Sequence, residues 1–163
     1  MTSINSKTIA RIAAIQAIYQ SINQKDHNLP EIAMKIKSLY QKSNNLDLFE
    51  LDDKKLRVKL NVATYDIITD FYEKSKEKIG NILIKYFTQL ISFEQTSQTM
   101  QALLIAAVTE ALIFPELHMG ILVSEYTNIA SEMLHDKEIG VVNSILENAI
   151  KDIRANETST HQS

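Results

Sequence analysis

The sequence predicts an all-α protein of about seven helices, and two features of its composition support that prediction. Only three glycines and two prolines interrupt 163 residues, and strong helix formers such as alanine, leucine and glutamate are abundant. Apolar residues also recur at steps of three and four, which is the spacing along one face of an α-helix. The length suits one domain, placed at residues 1–155, and the tail over 156–163 is expected to be disordered because it has nothing to bury.

Four helices are predicted in the N-terminal half. The first spans about residues 6–23, and Pro30 suits the first turn of the second. The third is expected over about 53–73 and the fourth over about 79–91. The predicted inward-facing residues of the first three are Ile12, Ile15, Tyr19 and Ile22, then Ile32, Ile36, Leu39 and Tyr40, then Leu56, Leu60, Ile67 and Phe71. Opposite the first stripe, a row of alanines predicts a smooth face without long side chains, formed by Ala10, Ala13, Ala14 and Ala17.

Three further helices are predicted in the C-terminal half. Thr96 or Ser97 caps the fifth, over about 97–113, which is apolar nearly all round and should therefore be central. The Phe114-Pro115 pair ends it, and the sixth helix follows over about 117–133. Asp136 caps the seventh, whose apolar stripe continues to Ile153.

The charge is unevenly distributed along the chain although the net charge is only −3. Residues 1–25 carry three cations and no anion, whereas residues 86–136 carry six anions and no cation. One end is therefore suited to a polyanion and the later stretch to a basic partner. Charge that serves solubility alone is the competing interpretation.

Several classes of protein are disfavoured by what the sequence lacks. It has no cysteine, which excludes disulfides and suits a cytoplasmic location, and no apolar run is long enough to span a membrane. Its glycines are isolated, whereas a phosphate-binding loop needs them clustered. His135, Asp136 and Glu138 come nearest to a metal cluster, but a polar loop explains them equally well. We therefore expect no enzyme, no metal and no cofactor.

Three stretches resemble landmarks of the bacterial NusB family of transcription antitermination factors. They are ARIAAIQAIYQ near the start, ALLIAAVTEAL in the middle, and LVSEYTNIASEM with VVNSILENAI near the end. The resemblance covers about residues 6–153. The two motifs near the end, LVSEYTNIASEM and VVNSILENAI, are the most specific. It implies a fold of two packed three-helix bundles with one extra helix.

The resemblance implies binding and not catalysis. Members of the family pair with the ribosomal protein NusE and hold a single-stranded element, boxA, in ribosomal RNA leader transcripts, within the antitermination complex of RNA polymerase. Two alternatives stay open: a helical module that binds only protein, and a detached relative of the domain that precedes some ribosomal RNA cytosine methyltransferases. Whether the chain forms a homodimer, as some family members do, is also open.

The resemblance points to five RNA-binding residues. Lys7 and Arg11 match cationic positions of the family's N-terminal arginine run, while Gln16 and Tyr19 match its A-x-Q-A-L-Y motif. Lys137 falls in the loop before the last predicted helix, where the family often carries an acid. The structural alternatives are an exposed helix end for the first pair, core packing for the Tyr19 ring and a solvated loop for Lys137. The acidic stretch 86–136 is the predicted docking surface for NusE.

Overall fold

The computed structural model describes residues 5–24, 28–42, 50–51, 54–55, 59–90 and 96–161, and the described part of the chain is built from six helices. They are α1 (Ser6–Asn23), α2 (Leu29–Lys42), α3 (Val62–Leu90), α4 (Gln98–Ile113), α5 (Met119–Met133) and α6 (Asp136–His161). Two short strands, β1 (Glu50–Leu51) and β2 (Lys54–Lys55), pair antiparallel. The predicted all-α fold class is confirmed.

The helices form two groups of three that share one core. Helices α1, α2 and α3 pack against one another, and so do α4, α5 and α6. The groups meet where α4 lies against α1 and α3. Because α4 contacts helices of both groups, most of its side chains are buried, as its continuous apolar sequence predicts. Among the described residues, no helix is long and apolar enough to cross a membrane.

The predicted third and fourth helices are joined into α3. Their junction is a kink at Ser75, where φ is −126° and ψ is 22°. Helix α3 starts at Val62, later than the predicted start near residue 53, and the strands β1 and β2 lie in the interval before it. The predicted inward position of Leu56 lies outside the described residues.

Two apolar side chains face away from the core against prediction. Ile67 and Leu39 are exposed, because the buried stripes of α3 and α2 run one residue to the side of them. In α3 the buried stripe consists of Tyr65, Ile68, Tyr72, Ile79 and Leu83. A shift of one residue rotates the buried stripe by about 100°. Apolar residues lie on several faces of these helices, so the sequence pattern does not show which face is buried.

The predicted smooth alanine face of α1 is not a surface. Ala10, Ala13, Ala14 and Ala17 are completely buried, whereas Tyr19, expected inside, is 39% exposed. Helix α1 is enclosed because α2, α3 and α4 all pack against it, and alanine lets those neighbours approach closely. At the other end of the chain α6 reaches His161, so the backbone is helical through much of the predicted disordered tail. Extending an existing helix fixes few further dihedral angles per hydrogen bond, which favours this continuation.

Candidate nucleic-acid interface

Lys7 occupies the first turn of α1, in a position that does not stabilise the helix. Asn5 caps the helix: its side chain accepts a hydrogen bond from the Thr8 amide at 2.9 Å. No acidic residue lies in this first turn, and the Lys7 side chain is exposed. A cation at a helix N-terminus opposes the helix dipole, whereas an anion bound there is favoured by it. The local electrostatics therefore leave this end of α1 suited to a negatively charged ligand.

The N-terminus of α3 lies against the N-terminus of α1. The Asn61 amide donates a hydrogen bond to the Ser6 carbonyl at 3.2 Å, and the Asn61 side chain accepts from the Thr64 amide at 3.0 Å, capping α3. Exposed Lys59 lies two residues before Asn61, and the first turn of α3 also lacks an acid. Two helix N-termini and two exposed lysines, Lys7 and Lys59, are thus brought to one edge, which we name the N-terminal edge.

Arg11 does not belong to that edge, and the expectation that it is an exposed cation is wrong. Its side chain is buried, with 5% of the residue exposed. The guanidinium donates to both carboxylate oxygens of Glu110, with Nε–Oε1 and Nη2–Oε2 distances of 2.8 Å. A weaker contact joins Nη1 to Glu125 Oε2 at 3.4 Å. Its charge is therefore neutralised inside the protein, which makes Arg11 a link between α1 and helices α4 and α5.

Tyr126 completes the buried cluster of Arg11, Glu110 and Glu125. Its hydroxyl donates to Glu110 Oε1 at 2.8 Å, and its ring lies 6.0 Å from the Arg11 guanidinium carbon. Burial of the phenol, reinforced by the neighbouring Glu110 charge, raises the pKa of Tyr126 well above its ordinary value. For Arg11, burial acts to lower the pKa, but the hydrogen bond and charge of Glu110 outweigh it and the net shift is upward. The arginine therefore stays charged and the tyrosine neutral.

Gln16 and Tyr19 lie apart from the N-terminal edge. The Gln16 side-chain oxygen accepts a hydrogen bond from the Tyr40 hydroxyl at 2.7 Å, which joins α1 to α2. Nine residues separate Gln16 from Lys7, so the two point to opposite sides of α1 at 3.6 residues per turn. Tyr19 is exposed about 18 Å further along the helix axis than Lys7. Its ring is accessible for stacking, while Gln16 has a role in packing that needs no ligand.

Lys137 lies in the first turn of α6 and not in the predicted loop. The neighbouring Glu138 carboxylate accepts from the Ser97 hydroxyl at 2.8 Å, which fixes this end of α6 to the start of α4. Arg11 meets Glu110 thirteen residues further along α4, a rise of about 20 Å. The structure therefore places the exposed Lys137 side chain well away from the Arg11 contact, and the five predicted residues do not form one cluster.

The predicted acidic surface is smaller than the sequence count indicates. Glu110 is 1% exposed and paired with Arg11, and Glu125 is partly committed to the same guanidinium. Glu94 lies outside the described residues, while Glu116, Glu132 and Asp136 are exposed. Part of the apparent charge asymmetry is thus an internal ion pair, because the acid-poor start of the chain supplies the cation and the cation-free stretch supplies the anions.

A shallow groove between α5 and α6 lies in this acidic half. Its volume is about 260 Å³, and it is lined by Met119, Gly120, Val123, Ser124, Thr127, Asn128, Asn143 and Glu147. The Thr127 hydroxyl donates to the Asn143 side-chain oxygen at 3.2 Å, which holds the two helices together beneath it. Residues 119–147 contain five acids and one lysine, so the segment that forms the groove carries a net negative charge. The lining itself is both polar and apolar.

A basic run just before α3 adds cations that the motif resemblance does not indicate. Residues 54–59 read KKLRVK, with four cations in six positions. The structure describes the side chain of Lys59 from this run, and the hydrogen bond between Asn61 and Ser6 brings the backbone two residues after Lys59 to the first turn of α1. The density of charge is visible in the sequence, but its location next to α1 depends on a contact between residues far apart in the chain.

The start of α6 explains why His135, Asp136 and Glu138 occur together. The Glu138 carboxylate accepts from the His135 backbone amide at 3.2 Å in addition to the Ser97 hydroxyl. It therefore satisfies one of the free amide groups at the N-terminus of α6. Within the described ranges, no group of three or more His, Cys, Asp or Glu residues is arranged to hold a metal ion.

Comparison with known proteins agrees with this architecture. The sequence model described as "NusB family" matches residues 8–151. The chain is 33% identical over 144 residues to the transcription antitermination protein NusB of Rickettsia bellii, covering 88% of this chain and 89% of that protein. It is 33% identical over 150 residues to its counterpart in Rickettsia rickettsii, covering 91% and 94%. A solved structure of T. maritima NusB superposes with a TM-score of 0.67 over 93% of each chain at 18% identity, which is a likeness of fold.

Proposed function

The chain belongs to the NusB family, and from that premise we propose that it is a transcription antitermination factor that binds boxA-type single-stranded RNA together with the ribosomal protein NusE. The N-terminal edge is the proposed phosphate-binding site. The groove between α5 and α6 is the proposed docking site for NusE. Each assignment has its own physical argument.

The meeting of two helix N-termini carries the RNA assignment. Lys7 and Lys59 flank the hydrogen bond between Asn61 and Ser6, and neither helix has an acid in its first turn. Lys7 opposes the dipole of α1 from its first turn, and Lys59 precedes the N-terminus of α3, so a stabilising role within the fold does not account for their positions. A bound phosphate is negatively charged, so its interaction with the helix dipole is favourable. Each phosphate contact also releases counterions from the RNA.

The remaining candidate residues extend the proposed RNA path. Tyr19 offers an exposed ring about 18 Å along α1 from Lys7, where a base stacks on it. Lys137 supplies a cation at the start of α6. Arg11 holds α1 in place for this surface and makes no contact with RNA, because both of its strong hydrogen bonds go to Glu110.

The NusE assignment rests on the charge and lining of the α5–α6 groove. Glu147 lies in the groove, exposed Glu132 lies on α5, and exposed Ile121 lies next to the groove on the same helix. A partner with basic side chains and an exposed apolar residue is complementary to the acidic side chains and to Ile121.

Fluorescence anisotropy with labelled boxA RNA and a scrambled RNA of equal composition tests the proposed function. We expect preferential binding of boxA RNA, and tighter binding when NusE is present. Equal affinity for both RNAs in the presence of NusE contradicts the proposal. Retained NusE binding without any RNA binding identifies instead the alternative, a module that binds only protein.

The docking site is tested by reversing one charge in the groove. Glu147→Arg is expected to weaken NusE binding about tenfold or more by calorimetry, because a carboxylate facing a basic partner becomes a like charge. Glu31→Arg is the matched control, since Glu31 is exposed on α2. Equal effects of both variants contradict the assignment of the groove.

A further inference from the structure

A lysine-rich depression on the second half of α3 is not used by the function proposed above. It has a volume of about 720 Å³, and its lining includes Lys74, Ser75, Lys78, Asn81 and Lys85. The depression begins at the Ser75 kink, and we name it the α3 groove. It lies far from the N-terminal edge, because Lys74 follows Asn61 by thirteen residues, or about 20 Å of helix.

The polar residues of the α3 groove share one face of the helix. Lys78, Asn81 and Lys85 follow one another at steps of three and four residues, which keeps them within about 60° around the axis. Lys74 lies just before the Ser75 kink and lines the same depression. The buried residues Ile79 and Leu83 point to the opposite side. The stripe is therefore directed away from the core, and packing of the helix does not require it.

Two of the three lysines that line the groove keep their charge unpaired among the described residues. Lys74 and Lys78 are exposed and make no ion pair with a described carboxylate. Lys85 lies 3.8 Å from Asp152 and stacks over the Tyr86 ring at 5.7 Å. Glu77 is the one acid in the lining. The groove consequently keeps a net positive charge, with hydroxyl and amide donors from Ser75 and Asn81 between the lysines.

We propose that the α3 groove is a second RNA-binding surface, which holds the phosphate backbone of a single strand without reading its sequence. Lys78 and Lys85 are about 10 Å apart along the helix axis, and Lys74 lies on the other side of the Ser75 kink. That length corresponds to a few nucleotides, because a strand with stacked bases advances about 3.4 Å per nucleotide along its axis. A cationic groove that follows the backbone is typical of binding without sequence preference. The ligand is transcript beyond the boxA element, so the inference rests on the proposed function for the source of the RNA.

The test compares a boxA RNA, the same RNA with an oligo(U) extension, and oligo(U) alone, by anisotropy at several salt concentrations. We expect the extension to raise the affinity of the unaltered protein about tenfold. Lys74→Gln/Lys78→Gln should abolish this gain and lower the salt slope for the extended RNA by about 1.4, because two lysine–phosphate pairs are removed. Lys35→Gln/Lys151→Gln removes two exposed charges elsewhere and should leave the gain intact.

The outcomes separate this inference from the proposed function. Absence of a gain from the extension, or a gain that survives Lys74→Gln/Lys78→Gln, overturns the α3 groove as an RNA site while boxA binding stands. Failure of boxA RNA to bind overturns the proposed function. If oligo(U) alone then still binds and loses its affinity in the double variant, the α3 groove is supported independently.

Discussion

Lys7 and Arg11 lie one turn apart on the same helix, yet the structure uses their charges in opposite ways. Lys7 is exposed at the N-terminal edge, which also includes Lys59, whereas Arg11 is enclosed with Glu110, Glu125 and Tyr126. The local sequence around both residues is similar, being basic and free of acids. What separates them is the set of side chains that α4 and α5 bring to one of them, which shows that the role of a cation is decided by partners distant in sequence.

Helix α1 therefore contributes to folding through Arg11 and to the proposed RNA binding through Lys7. The buried cluster joins the first three-helix group to the second, through two strong hydrogen bonds to α4 and a weaker contact with α5. The N-terminal edge makes few such contacts and presents charge outward. Mutations at the two places should therefore affect different measurements, stability in one case and RNA affinity in the other.

The largest expected effect is the loss of stability on breaking the buried cluster. Arg11→Met removes the only described partner that neutralises buried Glu110, and leaving such a charge unpaired costs about 3–5 kcal/mol. The free energy of unfolding, measured by urea denaturation followed by circular dichroism, should fall by this amount.

Lys7→Met is the matched control for that measurement. Since Lys7 is exposed and its charge opposes the helix dipole, its replacement should change the free energy of unfolding by less than about 0.5 kcal/mol. Equal effects of the two variants would remove the distinction between the regions.

A second prediction tests the enclosure of α1. Ala14→Leu adds three carbon atoms to a completely buried position and should destabilise the protein by about 1–3 kcal/mol through overpacking. Gln20→Leu, at an exposed position of the same helix, should have little effect on the denaturation midpoint. A neutral outcome at Ala14 would favour the open alanine face that the sequence predicts.

A third prediction concerns alkaline pH. Burial raises the pKa of Tyr40 to about 12, and it also raises the pKa of Tyr65 and Tyr126. Unfolded tyrosine titrates near pH 10, so the unfolded chain releases protons that the native protein retains. The stabilisation is complete below pH 10 and should be lost as the pH rises toward 12, by up to about 1.4 kcal/mol per pH unit for each such tyrosine.

Tyr40→Phe sharpens that prediction, because it removes one of the titrating groups. The urea midpoint of this variant should fall less steeply between pH 10 and 12 than that of the unaltered protein. Tyr19→Phe changes an exposed ring and serves as the control. A steeper fall in Tyr40→Phe would contradict the assignment.

The sequence predicts the helices better than it predicts their exposed faces. Ser97 as the cap of α4 and Phe114 as its end are confirmed, since caps and breakers act within a few residues. The burial of Arg11 could not be predicted, because Glu110 lies 99 positions away. The same holds for Lys59, whose location near the start of α1 depends on the contact between Asn61 and Ser6. Local patterns specify local geometry, whereas a site depends on which segments meet.

The salt dependence of boxA RNA affinity tests the central claim most directly, with one variant that removes the buried cation and another that removes the two exposed cations. Arg11→Met/Glu110→Gln removes the buried pair together, which avoids an unpaired buried charge, and should keep the slope of log affinity against log salt. Lys7→Gln/Lys59→Gln should lower that slope by about 1.4, because two cations no longer neutralise phosphates of the single strand. A slope that falls in the Arg11 variant and stays unchanged in the lysine variant would contradict the account.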